Sequence, residues 1–264
     1  MRISCIIPTL DRSEMLQETL RSVFTQTRAV DEIIVVDNGT QPPTISAEYA
    51  PRVKVIRLSS HSGVSKARNA GAAEATGEIL AFLDDDDLWN PDYIKNVEKA
   101  FTEGADCVVS RLDSMEDGRI VPHKNADTLL TLENLLMFNP GITGSNIALK
   151  KAVFSSVGGF DEHLPTSEDK SLVIELLRSG ARIATLPDNQ AIRRVHAEAR
   201  LTDPRTLATG VDRFTAKYRE LMDWPTYFFN RRKSFRLRVD GGTLSAYPAL
   251  ILYALLYRLT KRKA

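Results

Sequence analysis

Cysteine is nearly absent from this chain. Cys5 and Cys107 are the only two in 264 residues, and both sit in apolar, strand-like runs. No CxxC spacing occurs and no histidine lies near either in sequence. They therefore read as reduced core residues of a cytosolic protein rather than a structural disulfide. Two phosphate-binding signatures are missing as well. With no GxxxxGK[ST] loop and no GxGxxG turn, P-loop and dinucleotide-cofactor chemistry are disfavoured. The Leu- and Tyr-rich stretch 246–259 is shorter than the ~20 residues a bilayer span needs. The chain opens directly on the strand-like Ile3-Ser4-Cys5-Ile6-Ile7, so no signal peptide is expected.

What is present fits a folded α/β protein. The chain is 43% hydrophobic with a formal net charge of +1, enough for one large domain or one domain plus an appendage. Strand-like runs fall at 3–7, 32–36, 53–58, 79–83 and 107–110. Between them, 13–25 places Leu16, Leu20, Val23 and Phe24 at helical spacing, with Ser13 a candidate cap. The Ala-rich segment 64–76 reads as a helix ending at Gly77. Another helix over 172–178 precedes a strand over 182–186. This alternation predicts βαβ crossovers and a mostly parallel central sheet flanked by helices. The neutral average hides an asymmetry: from Arg193 onward sixteen Lys and Arg stand against six Asp and Glu, a balance of +10, while the rest carries −9.

The densest feature is four consecutive aspartates, Asp84 to Asp87, directly after the apolar run Ile79-Leu80-Ala81-Phe82-Leu83. Such a run reads as a covered parallel strand, and open α/β sheets bind ligands outside the carboxyl ends of their strands. Adjacent carboxylates repel unless a cation or donors neutralise them, and hard oxygens suit Mg²⁺ or Mn²⁺. The plainer alternative is a solvated acidic turn, with Asp87 capping a helix near Pro91. Three more polar clusters follow strands: Pro8-Thr9-Leu10-Asp11-Arg12, then Asp37-Asn38-Gly39-Thr40, then Gly63-Val64-Ser65-Lys66-Ala67-Arg68. Gly63 permits close backbone approach, and Lys66 and Arg68 could balance phosphate near a helix start. Each is weak alone; together they converge on a nucleotide diphosphate held through a divalent ion.

The segments Ile7-Pro8-Thr9-Leu10-Asp11, Val36-Asp37-Asn38-Gly39-Thr40, 63–71 and 82–89 resemble family 2 glycosyltransferases of the GT-A fold. So do Gly144-Ser145-Asn146, Gly158-Gly159-Phe160-Asp161 and Ser167-Glu168-Asp169. The resemblance spans 1–196, divided into a nucleotide-binding half (1–111) and an acceptor half (112–196), and leaves 197–264 as a basic helical extension. It implies an inverting, non-processive enzyme. It would transfer one sugar from a nucleotide-diphosphate sugar to a glycan or lipid-linked acceptor of a bacterial-type surface polysaccharide. It also implies roles: Asp169 as catalytic base; Pro8, Thr9, Asp11, Asp37, Asn38, Gly63, Lys66, Arg68, Asp84 and Asp85 around the nucleotide sugar; Asp84, Asp86 and His196 at a Mn²⁺ or Mg²⁺ ion; Gly144, Ser145 and Glu168 toward the acceptor.

Two departures stand out. Asn38 replaces a frequent second aspartate, which makes a dTDP- or GDP-linked donor more plausible beside UDP, and the processive QxxRW motif is absent. Trp89 is expected to pack beneath the acidic loop. Tyr247, Tyr253 and Tyr257 with flanking Lys and Arg suit peripheral contact with the cytoplasmic membrane face. An ordinary packed helix or a homo-oligomer contact is the alternative there. No nucleic-acid partner is expected. Rival functions are a sugar-nucleotide nucleotidyltransferase, which would want a Gly-rich basic loop after the first strand, and a catalytically silent sugar-nucleotide-binding scaffold.

Overall fold

The computed structural model describes residues 1–116, 118–122, 129–194 and 203–261. In chain order the first elements are β1 (Ile3–Thr9), α1 (Ser13–Phe24), β2 (Glu32–Asp37), β3 (Val53–Arg57), α2 (Val64–Glu74), β4 (Ile79–Phe82), β5 (Asp87–Trp89) and α3 (Tyr93–Thr102). Then come β6 (Cys107–Glu116), β7 (Arg119–Pro122), α4 (Leu132–Met137), β8 (Ile147–Lys150), α5 (Lys151–Ser156), α6 (Glu168–Arg178) and β9 (Ile183–Arg194). The chain finishes with α7 (Pro204–Lys217), α8 (Trp224–Asp240) and α9 (Tyr247–Lys261).

The strands form one sheet in the order β3-β2-β1-β4-β8-β6-β9-β5, with β7 paired to β6. The first four are parallel, as βαβ crossovers demand. Beyond β4 the sheet is mixed: β8 runs antiparallel to both β4 and β6, and β5 antiparallel to β9. β6 and β9 return to parallel pairing, with register shifts on either side of Arg111.

Strand alternation splits the core into two layers. Ile3, Cys5 and Ile7 face α1 and α3, joining Leu16, Leu20, Val23, Ile94 and Val97. Ile6, Leu80 and Phe82 face the other way, toward Ala67 of α2, Phe154 of α5 and Leu172 of α6. Both cysteines are buried free thiols. Phe214, Tyr218 and Met222 belong to that second layer, so α7 and the segment after it share the core beneath the sheet.

Two local expectations change. Ser13 is the first residue of α1 and not its cap; its hydroxyl accepts from the Thr44 N–H at 3.0 Å. Asp87 caps no helix either, since it lies in β5, and Asp92 precedes α3. Among the described residues no helix is long and apolar enough to cross a membrane.

Candidate active site

β1, β2 and β4 end side by side, which brings their polar loops together. Asp11 adopts a positive φ of 53° and clasps the β2 loop, accepting from Thr40 N at 2.8 Å and Gln41 N at 3.2 Å. These N–H groups, that of Gln41 first, hold its carboxyl below the ordinary range. Gly39 is required at this contact because a Cβ there would come 2.5 Å from Asp11 Oδ1. Asp37 and Asn38 are buried at the same corner. Asp37 Oδ1 accepts from Gly39 N at 2.8 Å, while its Oδ2 accepts no hydrogen bond and lies 3.5 Å from Arg57 Nε. Asn38 Oδ1 accepts from Ser62 N at 2.7 Å.

The four aspartates alternate in and out. Asp85 and Asp87 are buried, whereas Asp84 and Asp86, the pair matching the DxD pattern, keep side-chain exposures of 26% and 23%. Asp85 accepts from Thr9 Oγ1 at 2.7 Å and Leu10 N at 3.3 Å, tying the acidic loop to the end of β1. Its burial pushes the carboxyl up to about 6 in spite of these donors. Asp87, also raised by burial, accepts from the Ser145 hydroxyl and from Arg194 N at 3.2 Å. The Thr19 hydroxyl of α1 meets the backbone carbonyls of Asp85 and Asp87 at 2.8 and 2.9 Å. Trp89 packs beneath the loop as expected, donating from Nε1 to Ser145 O at 2.8 Å.

Basic side chains balance this charge. Arg12 Nη1 lies 2.6 Å from Asp86 Oδ2 and 3.2 Å from Asp85 Oδ1. Arg68 is 2% exposed and bridges two regions: Nη2 donates to Asp84 at 2.5 Å and Nη1 to Glu168 at 2.8 Å. Its guanidinium lies over the Phe160 ring, with Nε buried and unpartnered. Gly144 makes room for it, since a Cβ there would sit 2.0 Å from Nη2. Arg68 is thus an internal strut joining the acidic loop to α6, while Lys66, two residues earlier in α2, is exposed.

That strut ends at Glu168, the residue before Asp169. Glu168 and Asp169 open α6 after Ser167, which holds a left-handed φ of 66°. Asp169 is half-buried; burial first and the adjacent Glu168 charge second raise its carboxyl well above the ordinary range, while Arg68 opposes them. A carboxylate poised this way suits proton transfer near neutral pH.

Of the residues expected to meet an acceptor, Ser145 is fully buried. Its hydroxyl is committed to Asp87 and to the Asp84 N–H, so it supports the acidic loop from below. Gly144 and Glu168 serve the Arg68 strut. His196 lies outside the described residues. Arg12 and Arg194 are engaged at the acidic loop without having been singled out by any motif of their own.

The donor set fits a divalent ion. Asp84 and Asp86 present hard carboxylate oxygens at the surface, and Mg²⁺-like ions commonly bind through one or two carboxylates plus substrate phosphates. Among the described residues no group of three His, Cys, Asp or Glu forms an all-protein site, which is consistent with a partial set.

Comparisons with known proteins bear on the family and the fold. The chain is 28% identical over 204 residues to succinoglycan biosynthesis protein ExoO of Rhizobium meliloti, covering 70% of this chain and 58% of that protein. It is 25% identical over 209 residues to the O-antigen chain rhamnosyltransferase RfbN of Salmonella typhimurium, covering 70% and 63%. The chain therefore spans about three fifths of the length of these curated relatives. The structure superposes on S. aureus TarS 1–349 with a TM-score of 0.65 and 21% identity, covering 100% and 92% of the two chains. It matches the mannosyltransferase PcManGT from Pyrobaculum calidifontis, solved with GDP-Man and Mn²⁺, with a TM-score of 0.66 and 21% identity, covering 100% and 76%. These likenesses establish the GT-A-like fold. The model of Glycosyl transferase family 2 matches residues 4–157, more than half of the sequence, and the chain belongs to that family.

Proposed function

We propose that the protein transfers a single sugar, with inversion, from a nucleotide-diphosphate sugar to an acceptor hydroxyl in surface-polysaccharide synthesis. The observation that carries this reading is the Arg68 bridge, which couples the Asp84–Asp86 loop to the Glu168–Asp169 start of α6. A donor-side acidic loop and a candidate base on the acceptor side then belong to one electrostatic unit.

Asp37 and Asn38 line the base pocket. Asp37 Oδ2 is a buried acceptor without a hydrogen-bond donor, suited to an imino or amino N–H of the base. Gly63 and Lys66 lie where the diphosphate would meet the start of α2. Asp84 and Asp86 would hold Mn²⁺ or Mg²⁺, which when bound supplies charge neutralisation for the departing nucleoside diphosphate. Asp169 accepts the proton from the acceptor hydroxyl as that oxygen attacks the anomeric carbon. The names of the relatives, a succinoglycan biosynthesis protein and an O-antigen rhamnosyltransferase, support a polysaccharide acceptor.

Peripheral membrane contact is part of the proposal. Ile251, Leu252, Leu255 and Leu259 of α9 are each more than half exposed, beside Arg258 and Lys261. Tyr253 and Tyr257 do not join that surface, because they pack on Phe235 and Phe229 of α8 at 5.5 and 5.6 Å.

The test is Asp169→Asn. Nucleotide-sugar binding by calorimetry should stay within about twofold of wild type, while transfer to acceptor falls at least 100-fold, the range general-base loss produces. A variant keeping half its rate would remove Asp169 from that role. Nucleotide binding without any turnover by wild type would favour the scaffold reading.

A further inference from the structure

Asp86 keeps an exposed carboxylate between two buried neighbours, Asp85 and Asp87, and the backbone of the acidic loop shows how. Three consecutive carbonyls converge on two side chains. The Thr19 hydroxyl, fully buried on α1, reaches Asp85 O at 2.8 Å and Asp87 O at 2.9 Å. Asp86 O, between them, accepts from Nε of Arg194 at the end of β9. Arg194 Nη2 donates in turn to Thr19 Oγ1 at 3.3 Å and to Met15 O at 3.2 Å, which ties the two side chains together. Its Nη1 meets Glu18, and its backbone N–H donates to Asp87 Oδ1 at 3.2 Å.

The rest of that face of α1 serves the same stretch of chain. Ser22, one turn beyond Thr19, accepts from Trp89 N at 3.2 Å. Gln26, just past the helix end, donates to Asn90 O at 2.8 Å and accepts from Ile94 N at 3.0 Å. Buried polar side chains need partners, and here those partners are the backbone from Asp85 to Ile94. Arg194 has a side-chain exposure of 11%, and its rigid fork reaches a carbonyl, a hydroxyl and a carboxylate at once. By charge alone a guanidinium opposes a cation at Asp86. Its value to such a site is therefore geometric.

We propose that Thr19 and Arg194 are positioning residues that fix the backbone of the acidic loop so that Asp84 and Asp86 present their carboxylates to a divalent ion. The inference deepens the transferase reading and rests on it for the identity of the ion. Neither residue touches the ion; both act through the loop they hold, as groups behind metal ligands do.

The experiment uses the full-length protein without nucleotide. Mn²⁺ binding is titrated by electron paramagnetic resonance, and hydrogen exchange of the Asp87 and Trp89 amides is followed separately before metal is added. Thr19→Val and Arg194→Met should each weaken Mn²⁺ binding by roughly 10–100-fold, the usual cost of losing a group that orients a metal ligand. Both should speed exchange of the two amides by about tenfold, because the loop opens more readily. Thr19→Ser keeps the hydroxyl and should stay within about twofold of wild type in both measurements. The sign of the Arg194→Met effect separates the explanations: an arginine acting only through its charge gives tighter Mn²⁺ binding when removed. Tighter binding overturns the proposal. So does a Thr19→Val protein whose Tm falls while its Mn²⁺ affinity stays at the wild-type value, since the hydroxyl is then merely structural. Should Thr19→Val not fold, Arg194→Met decides alone. Wild type that takes up no Mn²⁺ counts against the transferase reading, and the exchange comparison still decides whether the two residues fix the loop.

Discussion

Replacing Arg68 by Met should damage stability and catalysis together, and by amounts the geometry sets. Arg68 is buried and donates to Asp84 at 2.5 Å and Glu168 at 2.8 Å. Removing one partner of a buried ion pair typically costs 3–5 kcal/mol, because the remaining charge is stranded. Here two carboxylates are stranded, but Asp84 keeps 26% side-chain exposure and can recover some water. The expected loss is therefore near the lower end, about 3 kcal/mol. For a chain of this size that lowers Tm by roughly 6–12 °C. Circular dichroism melts at neutral pH would measure it. The same change alters the pH dependence of kcat/KM. In its proposed role Asp169 must be ionised to accept a proton, so activity should rise with pH through its raised pKa. Arg68 favours the ionised form, so its loss should move that limb to higher pH. A variant melting within about 2 °C of wild type, with an unmoved limb, would refute the strut.

Two further outcomes are expected. Arg12→Met should tighten Mn²⁺ binding in the absence of nucleotide by roughly tenfold, about 1.4 kcal/mol, because a guanidinium no longer competes at Asp86. An electron paramagnetic resonance titration reads this, and unchanged or weaker affinity would contradict the competition. Leu252→Asp with Leu255→Asp should remove most co-sedimentation with anionic vesicles while leaving Tm near wild type, since both side chains are about half exposed. Undiminished pelleting would exclude α9 as the contact.

The parallel half of the fold was legible in the residues because apolar runs alternate with helical periodicity there, apart from the link between β2 and β3, which carries no α-helix. The mixed half was not. β8 and β5 are short, and their antiparallel pairing depends on partners distant in sequence that no local period encodes. The acidic loop could be identified as a site from four adjacent carboxylates after an apolar strand. Which of them face outward could not, since that follows from β1 and α1 donating to Asp85 and its backbone. Arg68 was legible as a basic residue near a helix start. Its actual role, bridging 16 and 100 residues along the chain, belongs to tertiary structure. Ser145 shows the reverse: a motif residue expected at the acceptor is instead the loop's buried support.

The proposed reaction depends on the outward-facing aspartates binding a nucleotide diphosphate through a divalent ion. Calorimetry of UDP, GDP and dTDP, each with and without Mn²⁺, on wild type and Asp86→Ala tests it most directly. At least one nucleotide should bind wild type only when Mn²⁺ is present, and that binding should vanish in the variant. Equal affinity in both proteins, or no dependence on the metal, would contradict the account.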